Sequence, residues 1–183
     1  MAKILKPSTA VWPEFSADLH VRPWTYDPSL PYCISADWGH QYPHVIWLQQ
    51  APDSSWVVFD EFCDDQIPRD HLRHAISQKC KELGKPPEHA VGDRAVKDEM
   101  AWLVHEFPRT WVHRMRTKQE QSVGRGIEIV RALLDPIEGP PRLYLSDRIA
   151  SSQALMAGFK SGSRSRTTFT ITARTACACL PLE

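Results

Sequence analysis

Short apolar runs separated by turn residues open the ordered part of the chain. Tyr32 to Ala36 is one such run, His44 to Gln49 a second and Trp56 to Phe62 a third, with "APDSS" between the last two. Runs of this length bounded by turn residues read as strands, and their close succession predicts an antiparallel meander. The period then changes. In "DQIPRDHLRHAISQKCKELG" the apolar residues Ile67, Leu72, Ala75, Ile76 and Leu83 fall on one helical face, and Gly84 is a stop signal. "HAVGD" reads as a brief buried strand ending in Asp93. "AVKDEMAWLVHEF" carries Met100, Leu103, Val104 and Phe107 at helical spacing before Pro108. "TWVHRM" predicts a strand, "SVGRGIEIVRALLD" a helix and "RLYLSD" a last strand. Three antiparallel strands followed by alternating helix and strand describe an α/β fold with a mixed sheet covered on both faces.

The two ends lack this order. Residues 1–31 are rich in proline and single aromatics without a sustained period, which reads as an arm or a linker. After Asp147, "ASSQALMAGF" has helical character. The rest is Ser-, Thr- and Arg-rich without a cap or a period, which predicts a loosely packed tail. The expected division is therefore an arm over 1–31, a domain over 32–148 and an irregular tail over 149–183.

Composition changes this picture little. Among 183 residues, 22 basic and 22 acidic side chains cancel, so the net field commits the protein to neither nucleic acid nor membrane. No run approaches the roughly 20 apolar residues of a membrane span, and the N-terminus lacks a signal-peptide core. The five cysteines show no regular spacing, and Cys177 and Cys179 form a lone C-x-C, so reduced thiols in a cytosolic protein are expected.

Two aspartates stand out. Asp37 closes the first strand and Asp93 the fourth, immediately before a helix. In open α/β sheets, sites lie beyond the carboxyl ends of strands, and neighbouring strands ending in acids bring two carboxylates together. Like charges a few ångströms apart repel unless a cation lies between them. Hard oxygen donors suit Mg²⁺ or Mn²⁺, and a pair of such ions about 4 Å apart can activate water and stabilise the leaving oxygen of a phosphodiester. Each aspartate alone is more readily a cap or turn residue than a catalytic one, and it is the pair in this topology that raises the metal reading.

Lesser candidates surround this pair. Glu61 or Asp60, on the strand beside the one carrying Asp37, is a possible auxiliary ligand, with Asp64 and Asp65 as competing helix caps. Asp98 and Glu99 are expected on a solvent face, and Asp147 in a turn. From Arg109 to Arg131 there are six basic residues against two glutamates. Arg114, Arg116, Lys118 and Arg125 could track phosphates, although a solvated face explains such a run equally well. The histidines show no metal-ligand spacing, and His40 is the one worth testing. Trp56, Trp102 and Trp111 fall at core-compatible positions.

At "SADWG", "VGDRA" and "KQEQSVGRGIEIVRALLDPIEGPPRLYLSDR" the chain resembles the nuclease domain of the large terminase subunit of tailed bacteriophages. "VWPEFSADLHVRPW" is similar to the linker that follows the packaging ATPase of that family. The resemblance runs from residue 11 to 148. It implies an RNase H-like fold in which Asp37 and Asp93 are the first two metal ligands of a site for two divalent ions. It also implies cleavage of concatemeric double-stranded DNA during packaging, with the terminase small subunit and the portal protein as partners, in the cytoplasm of a bacterial host. Two departures accompany it. No G-x-x-x-x-G-K-[ST] loop is present, so the ATPase is expected to be missing. The family's third acid, in a pattern like D-H-x-x-D-A/G-L-R-Y, is missing too, since no acidic residue stands between Asp147 and Glu183. Read one base earlier, codons for "ITARTACA" permit D-H-R-T-D-G-L-R, which motivates the hypothesis of a frameshift between Arg148 and Thr170. The nucleotide sequence tests it: a stop in the alternative frame, or neither acid there, rejects the idea. The alternatives are a resolvase-type RNase H-like nuclease and a non-catalytic prophage remnant that binds DNA or packaging partners.

Overall fold

A computed structural model describes residues 12–39, 43–64, 67–92, 96–114 and 123–149. In chain order the elements are α1 (Ala17–His20), β1 (Val21–Arg22), β2 (Tyr32–Asp37), β3 (His44–Gln50), β4 (Trp56–Cys63), α2 (Arg69–Glu82), β5 (His89–Gly92), α3 (Lys97–Glu106), β6 (Trp111–Arg114), α4 (Val123–Leu134) and β7 (Leu143–Ser146). The strands predicted from alternation and the helices predicted from period are all present, within a residue or two at their described ends except that α2 starts only at Arg69, after Pro68, so Ile67 precedes the helix. The expected helix after Asp147 lies outside the described residues.

The strands form one sheet in the order β1-β7-β4-β3-β2-β5-β6. The meander β2-β3-β4 is antiparallel, and the other pairings are parallel. Every strand except β3 therefore runs in one direction, and the carboxyl ends of β2, β4, β5, β6 and β7 share one edge.

Each face buries its own apolar cluster. On one side Cys33, Ile46, Leu48, Trp56, Val58 and Leu145 pack with Val130, Leu133 and Leu134 of α4 and with Trp12 and Phe15. On the other, Ile34, Ala36, Val45, Trp47 and Ala90 pack with Leu72 and Ile76 of α2 and with Met100 and Leu103 of α3. Burying one such Leu or Ile side chain contributes roughly 1.5–3 kcal/mol. Helix α2 is well delimited. Asp70 lies in its first turn and Lys79 and Lys81 in its last, in the senses the helix dipole favours, and Gly84 follows with φ +75°.

Residues 12–31, where the sequence shows no period, are built into this fold. Trp12 and Phe15 are core residues, and β1 pairs with β7 at the sheet edge. Buried His20 sits with Nε2 2.9 Å from the Leu134 carbonyl oxygen, which fixes Nε2 as the protonated nitrogen, while Nδ1 accepts from the Ser16 amide at 2.9 Å. A single histidine thus ties the segment to the end of α4.

The ladder between β3 and β4 is interrupted once. Trp47 pairs with Asp60 and Leu48 with Val58, so Phe59 has no partner and forms a bulge. Its consequence is directional. Asp60 faces α2, where Lys79 Nζ lies 2.6 Å from its carboxylate, and Glu61 pairs with Ile46 on the opposite, α4-facing side.

Candidate functional site

Asp37 is the last residue of β2. Its backbone pairs with β3, and its carboxylate accepts the Gly39 amide at 2.9 Å. This turn explains the apolar Trp38 between two exposed-edge residues: the chain bends around the Asp37 side chain, and the indole drops into the α2/α3 core. The turn role and the site role coexist, since the side chain remains only half-buried.

On the other side of β2 lies β5, parallel, with Ala36 opposite Gly92. Asp37 and Asp93 each follow one residue later in the sequence; Asp93 itself lies outside the described residues. Gly92 has no room for a side chain. A Cβ there would stand 2.7 Å from Met100 Sδ and 3.2 Å from Trp38 Nε1. Strand β5 therefore closes directly on the residue after Asp37.

Across β2–β3, the register partner of Asp37 is His44, a buried residue. Its Nε2 lies 3.4 Å from Glu61 Oε2, a close contact without hydrogen-bond alignment, and Glu61 is itself only 10% exposed. Asp37, His44 and Glu61 therefore lie on one face of three adjacent strands at the carboxyl edge. Among the described residues, no three His, Cys, Asp or Glu side chains converge closely enough to hold a metal ion.

The remaining candidates separate. Asp60 is held by Lys79 on the other face. Asp147 is exposed, and its amide donates to the Arg22 carbonyl at 3.2 Å, a turn as expected. Arg125 is exposed on the first turn of α4, and Arg114 ends β6. Arg116, Lys118, His40 and Asp65 fall outside the described residues. Trp56 is buried, but Trp111 is 68% exposed and Val104 faces solvent too, contrary to the core positions expected of them. Beside Trp111 on the same face, His113 Nε2 and His89 Nδ1 are 2.9 Å apart, sharing one N–H. Burial, and then the neighbouring His89, hold the His113 pKa below its ordinary value.

A further expectation fails at Glu99. Glu99, expected on a solvent face, has a side chain only 2% exposed and meets two arginines of α2: Arg69 Nη1 at 3.3 Å and Arg73 Nη2 at 3.4 Å. Its other oxygen, Oε2, is buried with no hydrogen-bond partner among the described residues. Asp98 beside it is exposed, as expected. A helical wheel would have found Glu99, because it precedes buried Leu103 by one turn.

No protein-family model matches the sequence, and no curated protein does. Solved structures with a similar fold are nevertheless clear. The large terminase of a thermophilic bacteriophage, in complex with ADP, superposes with a TM-score of 0.71 at 14% identity, over 94% of this chain and 45% of that one. The nuclease domain of the g2p large terminase from bacteriophage SPP1, with bound Mn, superposes at 0.62 and 10% identity, over 88% of this chain and 97% of that one. The HK97 bacteriophage large terminase superposes at 0.55 and 10% identity, over 91% and 43%. The chain thus spans less than half of the thermophilic-phage and HK97 proteins and nearly all of the SPP1 nuclease domain. Its fold is the RNase H-like α/β fold of a terminase nuclease domain.

Proposed function

We propose that this chain is a divalent-metal-dependent endonuclease domain of the terminase type, acting on double-stranded DNA during phage genome packaging. The observation that supports this reading is the parallel register of β2 and β5. It ends on Ala36 and Gly92, and an aspartate follows each. The fold shared with an SPP1 nuclease domain holding Mn supports it further.

The donor set suits the ion. Asp37 and Asp93 supply hard carboxylate oxygens at the strand ends, and Glu61 is the auxiliary donor. When bound, two Mg²⁺ or Mn²⁺ ions would lower the pKa of the attacking water and offset charge on the departing 3′ oxygen. Asp37 presents its oxygen from a turn closed by the Gly39 amide, and Glu61 is steadied by His44. Arg114, Arg116, Lys118 and Arg125 are the proposed contacts to the phosphate backbone. The same reading assigns the small subunit and the portal protein as packaging partners and the bacterial cytoplasm as the location. No helix of the described residues is long and apolar enough to cross a membrane.

Supercoiled plasmid with Mn²⁺ tests the proposal. The chain is expected to nick and linearise it, and Asp37→Asn or Asp93→Asn is expected to abolish cleavage while leaving the unfolding midpoint intact. Cleavage that survives both substitutions rejects the site. The lack of an acid between Asp147 and Glu183 favours a second reading, a prophage remnant that binds DNA without cutting it. Retained DNA binding with no cleavage at any Mn²⁺ concentration selects that reading.

A further inference from the structure

We infer that Glu99 is a positioning residue for the carboxylate site, acting through two arginines and two tryptophans rather than by touching substrate. The inference rests on the nuclease reading. Both α2 and α3 begin at the carboxyl edge of the sheet, because α2 follows β4 and α3 follows β5. Glu99 lies in the first turn of α3. Arg69 and Arg73 lie in the first two turns of α2, and both place a guanidinium nitrogen on Glu99 Oε1.

From this clamp a continuous set of contacts runs to the strand ends. The Arg73 guanidinium sits 5.7 Å from the Trp102 ring centroid. Trp102 meets Trp38 edge-on, with centroids 6.0 Å apart. Trp38 directly follows Asp37, and its Nε1 would stand 3.2 Å from a Cβ on Gly92. Met100, next to Glu99, closes on the same point, its Sδ 2.7 Å from a Cβ on Gly92. The charge of Glu99 orients Arg73, Arg73 orients Trp102, and Trp102 sets Trp38 at the point where β2 and β5 end.

A buried carboxylate is an expensive way to join two helices. An apolar residue of similar volume stabilises as well or better, because desolvation offsets much of the attraction between buried charges. What the ion cluster adds is direction: a guanidinium fixed by a carboxylate presents its flat face to one ring in one orientation. Partners that touch metal ligands directly affect metal affinity by about 10- to 100-fold, and Glu99, which reaches Asp37 through Arg73, Trp102 and Trp38, belongs at the lower end of that range.

The experiment uses the full chain and four proteins: wild type, Asp37→Asn, Glu99→Gln and the apolar replacement Arg69→Met/Arg73→Met/Glu99→Leu. Mn²⁺ affinity is read by calorimetry, stability by thermal unfolding, and ring placement by fluorine NMR of 5-fluorotryptophan protein, with Trp38→Phe assigning the Trp38 signal. Glu99→Gln is expected to weaken Mn²⁺ binding by about 10-fold and to shift the Trp38 resonance. The apolar replacement is expected to recover the wild-type midpoint without recovering Mn²⁺ affinity, which separates positioning from mere stability. Wild-type affinity in Glu99→Gln, or recovery of affinity along with stability, overturns the inference while leaving the nuclease reading standing. Equal Mn²⁺ binding by wild type and Asp37→Asn overturns the nuclease reading, and the inference with it.

Discussion

Gly92 is the narrowest point beside the site, and its role is steric. Gly92→Ala would bring a methyl group within 2.7 Å of Met100 Sδ, and displacing a packed thioether and indole costs about 1–3 kcal/mol. Urea unfolding should show that loss, and the variant should weaken Mn²⁺ binding more than its instability explains, because Trp38 moves with it. A second residue-scale prediction concerns pH. The His113 pKa is lowered in the fold, so the unfolded chain binds more protons below pH 6.5. Stability is full above 6.5 and declines as pH falls through the lower folded value. His113→Asn should flatten that acid limb in unfolding midpoints measured from about pH 7.5 to 5. At this scale sequence reading was weakest. Asp37 was legible because an acid interrupts an apolar run. His44 was not, and of Glu99 only the buried position was, because their partners, Glu61 and the α2 arginines, lie far away in the chain.

Elements were the most legible level. The runs at 32–36, 44–49 and 56–62 alternate or stay apolar because each strand is covered on one or both faces, and α2 and α4 show their buried stripes directly. Trp111 misled because period alone does not tell a central strand from an edge strand. Val112 packs toward α3, while its neighbours on β6 face the sheet's less covered side. The bulge at Phe59 was invisible for a related reason: nothing in "WVVFDEFC" marks where the ladder gains a residue. Deleting Phe59 would join Val58 to Asp60 in plain alternation, leaving Asp60 opposite Trp47 and Glu61 opposite Ile46 while removing a buried ring from the α2/α3 core. Losing that ring costs about 3–5 kcal/mol. A deletion variant with a wild-type unfolding midpoint would contradict the burial of Phe59, and one that loses the Lys79–Asp60 pair would contradict this register.

For the molecule as a whole, a recognisable fold persists at 10–15% identity to phage terminases, because what is retained is a strand order and the placement of apolar faces. The N-terminal segment belongs to that whole. Trp12→Ala removes a fully buried indole, and should cost about 3–5 kcal/mol in chemical unfolding, a loss out of keeping with a loose linker. The pairing of β1 with β7 carries a further consequence for biosynthesis. Among the described strands, β1 has no neighbour to join until β7 has been made, and the outer edge of β4 waits equally long. Nascent chains halted before residue 143 should therefore expose two unzipped margins, and such intermediates, rather than the finished protein, are where chaperones and aggregation would compete for it.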